Sequence, residues 1–184
     1  SGPWASFLNG KTTINLAQGD QTAIGPRVFS FVDIADDPIM LAITYIQVIS
    51  AIWRDSIGNE QPRIIAIDEV YRLMQYPALL PFLIKAAKTL RTRRKKLILI
   101  DQTMDVFLQG DARHIFENCP IRVIFHQQSI DVFYNSAFQH FTDTHRVMIG
   151  SLPQGWYVFD VKGQGVWAVF NQASESEIRR FGNT

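Results

Sequence analysis

Three short apolar runs constrain the fold of this chain more than any other feature: Ile64-Ile65-Ala66-Ile67, Leu97-Ile98-Leu99-Ile100 and Ile121-Arg122-Val123-Ile124-Phe125. A strand covered on one face alternates apolar and polar residues, whereas a run of strand length with almost no alternation suits a strand buried on both faces of a parallel sheet. The segments between the runs have helical spacing. Strand, helix, strand, helix, strand implies crossover connections and a mostly parallel sheet flanked by helices, so the expected class is α/β.

The flanking elements fit that frame. Phe7 to Asn15 and Arg27 to Ile34 read as short strands separated by the polar, glycine-containing stretch Gln18 to Pro26. Asp36-Asp37-Pro38 supplies a capping carboxylate and a proline for a first helical turn. Ile39, Ile43, Ile46, Ile49, Trp53 and Ile57 then recur at helical spacing up to Gly58. Pro77 and Pro81 open a second helix, with Leu79, Leu80, Leu83, Ala86, Ala87 and Leu90 inward and the basic run Arg91 to Lys96 closing it. A short helix is expected near Ala112 to Asn118 and a longer one over Ile130 to Phe141. Trp156 to Val161 and Val166 to Phe170 read as a C-terminal β-hairpin turned by Lys162-Gly163-Gln164-Gly165.

With 184 residues, 47% hydrophobic and 19% charged, residues 1–184 suit a single domain with a sizeable core. The net charge of +1 leaves no global attraction to nucleic acid or anionic lipid, so any such contact must be local. Cys119 is the only cysteine, which excludes an intramolecular disulfide and a cysteine-based zinc site and fits a reducing, cytosolic setting. No apolar run reaches the length of a membrane span.

In open α/β sheets ligands bind outside the carboxyl ends of the strands. Here those ends carry Asp68-Glu69, Asp101-Gln102 and His126-Gln127-Gln128. An apolar strand ending in Asp-Glu is the Walker B arrangement: the aspartate, Asp68, organises a magnesium shell and the glutamate, Glu69, orients and polarises the attacking water. The plain alternative is a pair of acids that cap the strand and meet solvent or a lysine. Gln102, one crossover later, can donate to a γ-phosphate and accept from water, or can be an ordinary polar cap. Arg91, Arg93 and Arg94 form the densest basic cluster. One of them can serve as a phosphate-neutralising finger, or all three can be a solvated helix end.

Taken in order, Ile64 through Met74, the proline-led helix, Arg91-Thr92-Arg93-Arg94-Lys95, the strand into Asp101-Gln102, and Ile115-Phe116-Glu117-Asn118-Cys119 resemble the C-terminal motor half of the VirB/TraC conjugation ATPases, within the HerA–FtsK group. The opening, Phe7-Leu8-Asn9-Gly10-Lys11-Thr12 and Phe29 to Ile34, is similar to the segment that re-enters that family's sheet before its long helix. Tyr71 stands where the family usually has tryptophan, and Asp101 where it usually has threonine. The resemblance implies a RecA-like core, ATP and Mg²⁺ as ligands of the full-length parent, and hexamers in which an arginine reaches a neighbour's nucleotide. It also implies secretion-channel subunits as partners and a cytoplasmic position, peripheral at the bacterial inner membrane. The family's P-loop lies upstream of everything matched here, so the expectation is a C-terminal fragment that supplies Walker B and sensor residues and is inactive alone.

Gly10-Lys11-Thr12 imitates a P-loop ending, but Ala5 occupies the place of its first glycine and Thr12 to Leu16 reads as strand rather than helix. His114, His126, His140 and His145 lack metal-ligand spacing. Trp156, Tyr157, Trp167 and Phe170 read as core, with base stacking the alternative. Two other functional classes stay open at this stage: a non-catalytic RecA-like adaptor of the secretion apparatus, and a nucleic-acid-binding module built on Arg91 to Lys96, which the near-neutral charge does not support.

Overall fold

The computed structural model describes residues 28–31, 37–58, 62–77, 79–90 and 94–181. The strand expected over Phe7 to Asn15, the Gly10-Lys11-Thr12 segment, and Arg91 and Arg93 lie outside the described residues; of Arg27 to Ile34 only 28–31 are described, without regular structure. The chain divides into two compact units, Ser1–Ile65 with Leu90–Ile98, and Ala66–Thr89 with Leu99–Thr184.

The first unit holds the long helix α1 (Pro38–Gly58). Asp37 starts it as the sequence implies: its Oδ1 accepts hydrogen bonds from the N–H groups of Ile39 (3.1 Å) and Met40 (3.0 Å), satisfying two of the donors a helix start leaves orphaned. The buried residues are Met40, Leu41 and Val48, while Ile39 and Ile46 are exposed, so the inward face differs from the isoleucine stripe. The reason is that α1 is apolar almost all round, and a weak contrast between faces does not fix which one turns inward.

Strands β1 (Arg63–Ile67) and β2 (Lys95–Leu99) form a two-stranded parallel sheet. The basic run does not simply close a helix. Arg94 takes a left-handed φ of 58°, and Lys95 and Lys96 enter β2, Lys95 buried. Burial along both strands alternates instead of being complete, and Ile64 is 66% exposed. Burial on both faces requires cover on both faces, and among the described residues β1 and β2 pair as strands only with each other.

The second unit contains α2 (Tyr71–Met74), α3 (Leu80–Thr89), α4 (Arg113–Asn118), α5 (Asp143–Ile149) and α6 (Glu175–Phe181). Its sheet is β3 (Ile121–Ile124), β4 (Trp156–Val161) and β5 (Gly165–Phe170), antiparallel in that order. Among the described residues β3 pairs with β4 and not with β1 or β2. The hairpin falls where the sequence puts it, and Gly163, at φ 77°, occupies the left-handed position that the turn demands.

Phe116, Ile124, Phe133, Phe138, Phe141, Ile149, Leu152 and Val158 make the core on one face of this sheet. Phe138 meets the rings of Phe116, Phe133 and Phe141 at 5.0 to 5.1 Å between centroids. The helix expected over Ile130 to Phe141 is instead two tight 3₁₀ turns, Asp131–Tyr134 and Ser136–Phe138. Asn135 separates them. Its extended backbone (φ −61°, ψ 148°) ends one turn, and its side chain accepts from Ala137 N to start the next, a local bond that outcompetes helix continuation. Trp156, Trp167 and Phe170 are partly exposed rather than core, because β5 is an edge strand and one face of the hairpin is uncovered among the described residues.

Candidate functional site at the carboxyl end of the parallel strands

Two backbone hydrogen bonds hold the ends of β1 and β2 side by side. Ile100 N donates to Ile67 O (2.9 Å), and Val70 N donates to Ile100 O (3.1 Å). Asp68 and Glu69 lie between those anchors, in a turn that leaves the ladder after Ile67. Val70 and Leu73, both fully buried, fix the far side of the turn.

Inside the turn, Asp68 Oδ1 accepts from Glu69 N at 2.9 Å. Glu69 has φ 48°, a left-handed conformation that costs a non-glycine residue about 1–2 kcal/mol. Its Oε2 stands 2.6 Å from Arg72 Nε on the first turn of α2. Asp68 is exposed and Glu69 half-buried. The outcome is a carboxylate pair, one member pointing to solvent and one held by a guanidinium, on a strained turn beside a strand end.

The second strand end is organised by Asp101. Its Oδ2 accepts from Tyr71 N at 2.8 Å, and its Oδ1 from Gln102 N at 2.9 Å and Thr103 N at 3.4 Å. One side chain therefore ties the Asp68-Glu69 turn to the Gln102 loop. The sequence places Asp101 at a polar strand end and marks it as a departure from a family pattern, but does not show it as the brace between the two loops. The available signal was an aspartate just past an apolar strand, the residue type that most readily caps its own following amides. Gln127, after β3, donates through Nε2 to Gln102 O at 3.5 Å and His126 O at 3.2 Å, so the third polar strand end also approaches the Gln102 loop.

Of Arg91, Arg93 and Arg94, only Arg94 is described; it is exposed and belongs to the first unit. Chemically, the turn offers carboxylate oxygens for a hydrated divalent cation and a base for water, and the Gln102 amide offers both a donor and an acceptor.

Fold and edge together define a mixed α/β, RecA-like piece: a parallel pair with acids at its carboxyl end, followed by an antiparallel hairpin sheet. Among solved structures the chain is similar to VirB4 of Thermoanaerobacter pseudethanolicus, with a TM-score of 0.70 and 21% sequence identity over 83% of this chain and 42% of that one. The two share a fold over that segment, which spans less than half of VirB4. No family model and no curated protein matches the sequence.

Proposed function

We propose that this chain is the C-terminal motor segment of a type IV secretion or conjugation ATPase, in which Asp68 and Glu69 serve as Walker B carboxylates and Gln102 as the sensor of the nucleotide's terminal phosphate. The observation that carries the reading is the Asp68-Glu69 turn braced against the Gln102 loop by Asp101. The fold shared with VirB4 supports it, as does the order of motifs along the chain.

In this reading the substrate is ATP, bound as its magnesium complex. Asp68, exposed and anchored through only one of its oxygens, would hold Mg²⁺ through water, and the cation would neutralise charge on the transferring phosphoryl group. Glu69 orients a water and accepts its proton as the bond to phosphorus forms. Arg72 keeps the Glu69 carboxylate directed along the turn. Gln102 donates to phosphate or accepts from water, so its loop distinguishes intact from hydrolysed nucleotide. Phosphate-cradling amides come from a P-loop outside the matched segment, an arginine among Arg91, Arg93 and Arg94 acts across a hexamer interface, and the work is delivered to channel subunits at the inner membrane. None of the described helices is long and apolar enough to cross a membrane.

The test is nucleotide turnover by the 184-residue chain alone and by the same chain joined to a region carrying a P-loop. The chain alone should show no Mg²⁺-dependent hydrolysis above background, and the joined form should hydrolyse ATP. Turnover by the chain alone that Lys11→Ala abolishes contradicts the assignment.

A further inference from the structure

A second polar constellation, sharing no residue with the strand-end site, lies in the antiparallel unit. Arg122 and Asp160 face each other across the β3–β4 register with their side chains buried, Arg122 7% and Asp160 0% exposed. Asp160 Oδ2 takes Arg122 Nη1 at 2.6 Å, and its Oδ1 meets His140 Nε2 at 3.0 Å. Phe116 lies under the guanidinium at 3.9 Å. The guanidinium is thus fixed on two sides, and its Nε, closed off from solvent, has no hydrogen-bond partner among the described residues. Buried guanidinium donors are rarely left unmatched.

That side chain lines a half-open cavity of about 650 Å³, with Arg113, Glu117, His140, His145 and Lys162 also on its wall and the Gly163–Gly165 hairpin turn along one side. Arg113 Nε bonds Glu117 Oε1 at 3.1 Å and its Nη2 bonds Ser136 Oγ at 3.3 Å, and among the described residues Lys162 Nζ bonds only the Glu117 backbone carbonyl at 3.2 Å. Three permanent cations stand against two carboxylates, Glu117 and the buried Asp160, so the cavity is positive before either histidine gains a proton.

We infer that this cavity binds a phosphate group, free or carried on a small molecule. Arg122 supplies fixed positive charge in the wall, Arg113 and Lys162 the mobile donors, and Asp160 holds Arg122 in place without reaching the ligand. Arginine geometry matches tetrahedral oxyanions, and a site of this size accepts a phosphate with a small organic substituent.

The probes are orthophosphate and pyrophosphate, titrated calorimetrically into the 184-residue chain at low ionic strength against chloride matched for ionic strength. Saturable one-to-one binding is expected, with pyrophosphate tighter. Arg113→Ala combined with Lys162→Ala, both solvent-side, should weaken it at least tenfold while thermal unfolding stays unchanged. Because Arg122→Ala strands Asp160 and endangers the fold, Arg122→Lys is the cleaner probe: it keeps a cation beside Asp160, gives up the planar guanidinium held over Phe116 and should weaken binding several-fold. Gln102→Ala, which removes the phosphate donor of the strand-end site, should leave affinity unaltered. Absence of saturation overturns the inference, as does affinity indifferent to the Arg113 and Lys162 changes. So does affinity lost in Gln102→Ala, which puts the phosphate at the strand-end site instead.

Discussion

The carboxylates of the two polar regions are used in opposite ways. Asp68 and Glu69 sit on an exposed turn where one ion pair, Glu69 with Arg72, is partly solvated. Such pairs contribute about 0–1 kcal/mol, so the turn's acids are nearly free of structural duty and available for chemistry. Asp160 is fully buried, and both its oxygens are committed to Arg122 and His140. Removing one partner of a buried pair leaves an uncompensated charge and costs about 3–5 kcal/mol. The difference teaches that acidity of sequence does not mark a site; exposure combined with backbone bracing does.

The sharpest break of that contrast is Asp160→Ala. It should lower unfolding free energy by about 3–5 kcal/mol in urea titrations of the 184-residue chain; a loss below 1 kcal/mol would mean that the Arg122 charge finds other compensation. Phe138→Ala should cost a similar amount, about 3–5 kcal/mol, by opening a cavity beneath three rings.

Asp101→Ala should come next. It strips acceptors from the amides of Tyr71 and Gln102, for a loss of about 1–2 kcal/mol. Amide hydrogen exchange should then accelerate at Tyr71 and Gln102 together. Acceleration at only one of them would show that Asp101 does not couple the two loops.

Glu69→Gly is predicted to be nearly neutral, within about 0.5 kcal/mol. Relief of the left-handed strain offsets the greater freedom of glycine in the unfolded chain and the loss of the Arg72 pair. A loss above 1.5 kcal/mol would give the turn a structural role that the contrast denies it.

Cys119 should give the smallest effect, visible only at alkaline pH. Burial pushes its thiol above the ordinary value of 9.0, and the Arg122 charge opposes that only in part. The folded state therefore holds the proton more tightly than the unfolded state. Its stabilising contribution is complete below the unfolded pKa and is lost as pH rises through the folded one. Stability should decline above about pH 9, and Cys119→Ala should flatten that decline.

Much of the fold was legible because its signals are local. Asp37-Pro38 announces α1, the apolar runs announce β1 to β3, and Lys162 to Gly165 announces the hairpin turn. Long-range choices were not. The alternating burial of β1 depends on what covers its faces, and no residue in Ile64 to Ile67 encodes that. Asn135 interrupts Ile130 to Phe141 through a single side-chain bond within a pattern that otherwise has helical spacing.

At the candidate site, Asp68, Glu69 and Gln102 could be singled out from their positions after apolar runs, but the Asp101 brace joins residues that follow different strands and needs coordinates. The Arg122–Asp160 pair left a faint trace: each is a charged residue at mid-strand in an otherwise apolar stretch. Only the β3–β4 register makes them partners.

The most direct test of the proposed role is Glu69→Gln in the chain joined to its P-loop region, measured as steady-state ATP hydrolysis alongside equilibrium binding of a nonhydrolysable ATP analogue. The amide keeps the shape of the side chain while losing its strength as an acceptor. Turnover should fall about 10²- to 10⁴-fold, with analogue affinity changed less than about threefold, the signature of an interaction made mainly in the transition state. Hydrolysis at the unsubstituted rate contradicts the Walker B assignment of Asp68 and Glu69.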